Sequence, residues 1–288
     1  METYARELIP ELVAAAPGTR FTAFVNRETA GTPGPWGDLV REVLVPVRAA
    51  RRHEWVMGEQ LHLPRLAAGE GVHLLHSLAS TAPVRGPFRR IVTVHDLNYA
   101  VVPDAHFGLR ALGMRVVVPA GVRGSHRVVA DSRATRDDLV RLLGVPPPRI
   151  DVVPLAGGRG APAEALGEAE CRARFGLGGR QVVLSVSAKR PHKNLARLIE
   201  AVAALPPGTR PLLVLPGYPT PHEAELRALA DRLGVADDVR LLGWLEPAEI
   251  EGLWALARAS VFPSQYEGLG LPVLEGMRRG VPVACSDR

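Results

Sequence analysis

Residues 263–277 read Pro-Ser-Gln-Tyr-Glu-Gly-Leu-Gly-Leu-Pro-Val-Leu-Glu-Gly-Met, and they carry the clearest signal of secondary structure in the chain. A strand is predicted at its start, near 260–263, and a helix within it, near 272–279. A glycine-rich turn joins the two, and Pro272 suits the first helical turn, where its missing N–H loses no partner. Strand, turn and helix in this order form the repeating unit of parallel α/β sheets.

The glycine-rich turn also has the chemistry of an anion site. Glycine lets backbone N–H groups approach an anion closely, and a helix N-terminus adds partial positive charge. The N–H groups concerned belong to Gly268, Leu269, Gly270 and Leu271. Glu267 lies in the turn and Glu275 about one turn into the helix, so the two carboxylates could hold hydroxyl groups on either side of a bound phosphate. A plain βα loop with two solvated glutamates is the alternative interpretation.

A second strand–turn–helix segment, residues 185–195, contains both lysines of the chain. Lys189 and Lys193 lie within five residues of each other, whereas every other Lys or Arg position is an arginine. Lysine is a compact point charge that suits a phosphate oxygen. Because the carboxyl ends of parallel strands lie at one edge of a sheet, we expect these lysines to face the same ligand as the glycine-rich turn.

In the first half of the chain, a strand predicted near 91–95 ends in His95 and Asp96. A histidine at that edge of an α/β sheet could donate to a sugar hydroxyl or stabilise a developing charge. It could equally be a core residue whose hydrogen bonds are all made inside the protein. The sequence has no zinc-ligand spacing, Walker A loop, G-x-S-x-G, G-x-G-x-x-G after a strand, or Asp-x-Asp. No metal site is therefore predicted.

Short β-branched runs alternate with helix-length amphipathic segments along almost the whole chain, a pattern typical of parallel sheets with helices on both faces. Strands are predicted near 21–25, 72–76, 91–95, 127–130, 150–154, 182–187, 212–215, 239–242, 260–263 and 282–285. Helices are predicted near 4–15, 134–143, 195–204, 221–234, 247–257 and 272–279. The pattern indicates two doubly wound domains, 1–155 and 181–288, joined by a linker at 156–180. A ligand cleft is expected between them.

Neither end of the chain has the pattern of a complete domain. It opens on a helix with no strand before it and stops just after the strand predicted near 282–285. We therefore expect a fragment that lacks elements at both ends, with the second domain truncated.

Composition bounds the class of protein. With 288 residues, 47% of them hydrophobic, and only two cysteines, the chain is globular rather than disordered or stapled by disulfides. Two widely spaced cysteines suggest a reducing compartment. The first residues do not read as a signal peptide, and no apolar run is long enough to span a membrane. A cytoplasmic location is expected.

The net charge of +5 raises the question of an anionic partner. The basic residues are scattered and only 5% of residues are aromatic, which disfavours nucleic acid. Over 107–136, however, six arginines face a single acid, Asp131. This imbalance predicts a basic patch for an anionic acceptor or a peripheral contact with an anionic membrane, with solvated helix faces as the alternative. The six are Arg110, Arg115, Arg123, Arg127, Arg133 and Arg136.

Together these segments resemble the retaining glycosyltransferases of family 4. Residues 262–277 match their E-x7-E motif, whose glutamates would be Glu267 and Glu275, and 280–286 continue the match. The likeness extends to 190–195, 239–245, 94–97 and 130–132, and so covers nearly the whole chain. It implies an α/β protein of the GT-B fold, with an acceptor-side first domain and a donor-binding second domain.

The resemblance also implies roles for individual residues. Glu267 would contact hydroxyl groups of the donor sugar and Glu275 those of the ribose. Lys193 would neutralise the leaving diphosphate, while the amides at 268–271 would hold phosphate or sugar. His95 would lie near the anomeric centre. Transfer would occur with retention and without a metal or other cofactor, the nucleotide-diphosphate sugar being a co-substrate.

This chain departs from the family pattern after the strand predicted near 182–187. Many relatives have a Gly-Arg pair where this chain has Ser187-Ala188. The second cation at the phosphates would then be Lys189 or Arg190.

Three hypotheses follow from the sequence. The first is a hexosyltransferase that acts on a glycan, lipid-linked or small-molecule acceptor, and likeness to mannosyl- and rhamnosyl-transferring members favours a bacterial surface glycan. The second is a non-catalytic fragment that binds nucleotide sugars. The third, a nucleotide-sugar epimerase, is disfavoured by the E-x7-E arrangement.

Overall fold

The structure is a computed structural model that describes residues 2–31, 36–102, 109–156 and 164–287. The chain divides into two compact units. The first comprises Met1–Ala100 and Gly108–Pro154, and the second comprises Leu155–Arg288 with Val101–Phe107.

Strands and helices alternate within the described ranges, as in the α/β pattern. The strands are β1 (Thr22–Val25), β2 (Arg41–Leu44), β3 (Leu74–Ser77), β4 (Arg89–Val94), β5 (Arg127–Ala130), β6 (Ile150–Val152), β7 (Val182–Leu184), β8 (Leu212–Pro216), β9 (Val239–Leu242), β10 (Ala257–Phe262) and β11 (Val283–Cys285). The helices are α1 (Glu2–Ala15), α2 (Arg52–Met57), α3 (Leu63–Gly69), α4 (Asn98–Val101), α5 (Leu109–Gly124), α6 (Arg133–Leu143), α7 (Glu168–Phe175), α8 (Leu195–Ala203), α9 (His222–Arg232), α10 (Pro247–Leu256) and α11 (Leu271–Arg278). None of these helices, over the ranges described, is long and apolar enough to cross a membrane.

The second unit is built on a five-stranded parallel sheet in the order β11-β10-β7-β8-β9. Its inner strand β8, which lies between β7 and β9, is buried along its whole length, as expected for a strand covered on both faces. Alternate side chains serve opposite cores: Leu212 packs in the cluster that contains Trp254 of α10, and Leu213 in the cluster that contains Ile199 of α8. Counted along the chain, the strand order is 3-2-1-4-5, so the winding direction reverses between β7 and β10.

The first unit has a four-stranded parallel sheet, β3-β4-β5-β6, and a separate parallel pair, β1-β2. Val92 and Val94 of β4 pack in one core with Val118 and Val122 of α5. The register pairs Val94 with Ala130, so the residues that follow β4 and β5 come together at the carboxyl edge of the sheet.

Each of the ten predicted strands corresponds to a strand of the structure; β5 and β9 have the predicted bounds, and the other eight have shifted ends. The strand missed by the prediction is β2, whose side chains are mostly exposed and give no buried apolar run. Within the predicted linker, residues 157–163 lie outside the described residues. Helix α7 belongs to the second unit, because Cys171 is fully buried in the core that contains Trp254.

The six arginines predicted to form one basic patch do not share a surface. Arg127 begins β5, whereas Arg133 begins α6, which follows the carboxyl end of that strand. The two therefore lie at opposite edges of the sheet. The side chain of Arg110 lies outside the described residues.

Candidate active site

Two loops meet where the winding of the second sheet reverses. One follows β7 and leads into α8, and the other follows β10 and leads into α11. The backbone N–H of Gln265 donates to the His192 carbonyl at 2.8 Å, and Asn194 Nδ2 donates to the Pro263 carbonyl at 3.1 Å. The crevice outside the carboxyl ends of the strands at such a reversal is the usual ligand site of open α/β sheets. Both segments singled out from the sequence therefore flank one site.

Lys193 and Glu267 form an ion pair between these two loops. Lys193 Nζ lies 2.6 Å from Glu267 Oε1, and the side chains keep 19% and 26% of their exposure. Asn194, in the left-handed conformation at φ 56°, ends the short 3₁₀ turn Pro191–Lys193. An ammonium group in this position can pair with an anion, because it is a compact point charge.

The glycine-rich turn ends at Gly270, immediately before α11. Gly270 has φ +84°, a left-handed conformation that glycine adopts without strain. Pro272 lies in the first turn of α11, as the sequence predicts. The N–H groups of the turn thus precede a helix N-terminus at the same edge as Lys193.

Glu275 lies about one turn into α11 and is partly buried. Burial raises the pKa of its carboxyl, Arg279 opposes that rise, and Glu251 adds to it. The guanidinium of Arg279 is already paired with Glu251. Within the described residues the Glu275 carboxylate makes no hydrogen bond or ion pair. A partly buried carboxylate without donors is costly, and hydroxyl groups of a ligand would satisfy it.

Lys189 has a different environment from Lys193. Its side chain is fully buried, and Nζ donates to the carbonyls of Gly217, at 2.8 Å, and Leu242. Glu223 Oε2 lies 3.4 Å away. Burial lowers the pKa of the ammonium, and Glu223 opposes that effect. This position is incompatible with the predicted contact between Lys189 and a phosphate, because the protein encloses the charge.

Arg190 is the other residue predicted to supply a second cation. It is partly exposed and precedes the 3₁₀ turn Pro191–Lys193, in an extended backbone conformation. It lies in the loop that carries Lys193, on the side of the reversal where a ligand would bind.

His95 follows β4 in the first unit, and both of its ring nitrogens are engaged. Nδ1 is hydrogen-bonded to Asp131 Oδ2, and Nε2 lies 2.9 Å from the Leu78 carbonyl. Burial lowers the pKa of the imidazole, but the hydrogen bond and charge of Asp131 together with the Leu78 carbonyl outweigh it, so the pKa is raised. The geometry favours the interpretation of a histidine satisfied inside the protein. Because both ring nitrogens are engaged, no ring N–H is left to donate to a sugar hydroxyl. The ring could act on a ligand only through its positive charge.

Sequence reasoning missed two features at the carboxyl edges of the sheets. One is Asp131 as the partner of His95; its position directly after a strand was a usable signal. The other is the pair of Tyr218 and Trp244, which follow β8 and β9. Their rings stack at 4.5 Å between centroids, and the residues are 57% and 63% exposed. Aromatic faces left this open can stack on a planar ring or a sugar.

The described residues contain no group of three or more His, Cys, Asp or Glu side chains placed to hold a metal ion.

The chain has the GT-B fold, as superposition on two solved structures shows. The structure of WaaG, a glycosyltransferase involved in lipopolysaccharide biosynthesis, superposes with a TM-score of 0.68 at 19% identity, covering 99% of this chain and 76% of WaaG. Anabaena HepE in complex with UDP-glucose superposes with a TM-score of 0.63 at 19% identity, covering 86% of this chain and 68% of that chain.

More specifically, the chain belongs to glycosyltransferase family 4. Residues 1–156 match the model of "Glycosyltransferase Family 4", and residues 169–288 match that of "Glycosyl transferases group 1". Membership of family 4, which the sequence led us to expect, is thereby confirmed.

Two curated relatives illustrate the similarity. The O-antigen chain mannosyltransferase B of Escherichia coli is 29% identical over 82% of this chain and 60% of its own length. A D-inositol 3-phosphate glycosyltransferase of Acidothermus cellulolyticus is 31% identical over 92% of this chain and 56% of its own length. The chain thus spans somewhat more than half the length of these relatives.

Proposed function

We propose that this protein is a hexosyltransferase that uses a nucleotide-diphosphate sugar as donor, retains the anomeric configuration and needs no metal. The observation that carries the proposal is the convergence at the sheet reversal of a cation, a glycine-rich helix N-terminus and a carboxylate without donors. The cation is Lys193, the turn ends at Gly270 and the carboxylate belongs to Glu275.

The three groups match the parts of such a donor. Lys193 and the N–H groups of 268–271 would hold the diphosphate, since fixed cations and amide dipoles stabilise negative charge. Glu275 would accept hydrogen bonds from the ribose hydroxyls. Glu267 would contact the sugar hydroxyls while keeping Lys193 in place. We assign the planar base to the exposed aromatic faces of the pair Tyr218 and Trp244.

In the proposed reaction, the bond between the anomeric carbon and the diphosphate oxygen breaks and its electron pair leaves on that oxygen. The acceptor hydroxyl oxygen bonds to the same carbon from the same face. Its proton passes to the departing phosphate oxygen, so no protein base is required. Negative charge grows on the diphosphate during this step, and Lys193 and the turn amides are already oriented to stabilise it.

The first unit would hold the acceptor. His95, oriented by Asp131 at the carboxyl edge of this unit's sheet, would lie beside the acceptor. The named relatives, a mannosyltransferase of an O-antigen chain and a glycosyltransferase of inositol 3-phosphate, favour a glycan, lipid-linked or small polyol acceptor. We place the protein in the cytoplasm, with a peripheral membrane contact if the acceptor is lipid-linked.

Calorimetric titration with UDP-, GDP- and dTDP-sugars, in EDTA, tests the donor site. Binding of one nucleotide that Lys193→Ala and Glu275→Ala weaken, and that the exposed control Glu225→Ala on α9 leaves unchanged, would support the proposal. No binding by a folded chain would refute it.

An acceptor panel with the bound donor then separates catalysis from binding. Product of retained configuration, read from anomeric NMR signals, is expected in EDTA. Donor binding without transfer to any acceptor would favour the non-catalytic fragment instead.

A further inference from the structure

A strongly basic pocket lies at the amino edge of the first unit's sheet. It is an open cavity of about 670 Å³ around the starts of β4 and β5. Its charged or titratable lining residues are Arg89, Arg90, Arg123, His126, Arg127 and Arg149.

Two of these arginines are structural. Arg90 Nε donates to the Gly124 carbonyl at 2.9 Å, and Arg149 Nη2 donates to the Val122 carbonyl at 3.2 Å and to the Ser125 carbonyl. They hold the turn between α5 and β5 from opposite sides. Their positive charges are therefore fixed at the pocket wall whether or not a ligand is present.

The remaining arginines differ in pairing. Arg127 is neutralised by Asp151, through two hydrogen bonds. The guanidinium groups of Arg89 and Arg123 are exposed and make no hydrogen bond or ion pair within the part of the chain that the structure describes. Five arginines thus surround the pocket against one carboxylate. Like charges that line one pocket repel one another, and a bound anion would offset the repulsion.

His126 lies among these arginines and feels their charge. Its Nδ1 accepts a hydrogen bond from the Arg90 backbone N–H at 3.1 Å. Burial lowers its pKa, and the charges of Arg90, Arg89 and Arg149 lower it further. A neighbouring anion acts in the opposite direction.

We propose that this pocket binds a phosphate group, with Arg89 and Arg123 as its direct ligands and Arg90 and Arg149 as fixed charges behind them. Guanidinium groups pair with phosphate through two parallel hydrogen bonds, which suits a ligand of this class. The phosphate comes either from a soluble phosphate ester or from a lipid headgroup. The pocket is separate from the acceptor residues of the same sheet: β4 begins at Arg89 and ends just before His95, which places the two about 20 Å apart.

Site-specific NMR of the His126 ring in the full chain tests the proposal, with inorganic pyrophosphate as probe. We expect its signals to move on titration and its pKa to rise when pyrophosphate is bound. His126→Ala assigns the signal. Arg89→Gln/Arg123→Gln should weaken this binding about tenfold or more. The matched control Arg20→Gln/Arg232→Gln removes two exposed arginines elsewhere and should change nothing.

Sedimentation with vesicles of phosphatidic acid in phosphatidylcholine, against phosphatidylcholine alone, distinguishes the sources. Loss of vesicle binding in Arg89→Gln/Arg123→Gln but not in the control assigns the site to a headgroup. Pyrophosphate binding with no vesicle binding assigns it to a soluble phosphate ester. The proposal is wrong if neither probe binds, or if both double variants weaken binding equally, provided that thermal unfolding shows them folded.

Discussion

At the residue scale, the two lysines of the chain have opposite roles although four positions separate them. Lys189 donates its hydrogen bonds inward, to carbonyls at the ends of β8 and β9. Lys193 reaches outward, to Glu267 at the mouth of the candidate site. One charge is enclosed and supports the loop. The other is partly exposed in an ion pair, where we propose that it meets the donor.

Replacing each lysine by methionine separates these roles. Lys189→Met leaves buried carbonyls without donors and is expected to lower the free energy of unfolding by about 2 to 3 kcal/mol. Lys193→Met breaks a partly exposed pair and should cost about 1 kcal/mol or less, while it weakens donor binding about ten- to hundredfold. Chemical denaturation and calorimetry measure the two effects. Equal destabilisation by both variants would contradict the assignment.

Glu275→Gln is expected to abolish donor binding and to stabilise the fold. The raised pKa of Glu275 means that the folded protein disfavours its charged form, so stability falls as pH rises through the folded pKa. The amide removes that penalty, and the melting temperature at pH 7 should rise while donor binding is lost. Glu225→Gln, on an exposed face, should change neither. A variant that binds donor normally, or that melts earlier, would refute the role given to Glu275.

The pair of His95 and Asp131 also predicts that stability depends on pH. Here the folded protein favours the charged form of the side chain, whereas at Glu275 it disfavours it. Because the folded pKa of His95 is raised above its unfolded value of about 6.5, its stabilising effect is complete below that value and is lost as pH rises through the folded pKa. Asp131→Asn removes the carboxylate charge, so burial becomes the dominant effect and the pKa of His95 should fall. NMR titration of the ring, with unfolding measured from pH 5 to 8, checks both. A flat stability profile in the parent would contradict this account.

The sequence shows the type of these side chains and their position at strand ends. It does not show whether each side chain points into the protein or toward solvent. Lys189 and Lys193 have the same local signal, and only the carbonyls of distant strands decide which one is buried. In the same way, the partner of His95 lies 36 positions along the chain. Such pairings depend on strand order, which local patterns do not contain.

At the scale of elements, the helices and strands of the second unit follow from the sequence, whereas their order in the sheet does not. Alternating β-branched and amphipathic segments predict parallel βα units. That β7 and β10 are neighbours, so that their loops meet, is a property of the finished sheet. Strand β2 is missed for a different reason, because its exposed side chains give too weak a hydrophobic pattern.

Close packing between loops gives a test at this scale. Gly217 has φ +146°, and a Cβ there would lie 1.9 Å from the Ser187 carbonyl oxygen, in the loop that carries Lys193. Gly217→Ala should therefore displace this loop, lower stability by about 2 kcal/mol or more and weaken donor binding. Gly243→Ala is the matched control, because no atom lies within 4 Å of its added Cβ. Unchanged donor affinity in Gly217→Ala would show that the loop contact does not position Lys193.

At the scale of the whole molecule, two compact α/β units carry separate sets of polar groups. The alternation of elements predicts two domains, and the boundary between the units lies after Pro154. A helix inside the predicted linker packs into the second unit because its one buried side chain, Cys171, faces that core. An isolated cysteine in a charged helix is too weak a signal to reveal this from sequence.

Separate sites on separate units lead to a prediction about ligand-linked stability. A donor nucleotide at one hundred times its dissociation constant stabilises whatever unit holds it by about 2.7 kcal/mol, or about a hundredfold in the population of the opened state. Hydrogen exchange should therefore slow most in peptides that cover 182–194 and 263–275. In peptides that cover the basic pocket, near 123–127, hydrogen exchange should slow when pyrophosphate is added. It should not slow when the nucleoside alone, the base with its ribose, is added. Protection by the nucleotide confined to the first unit would move the donor site away from the sheet reversal between β7 and β10, and with it the role of every residue assigned there.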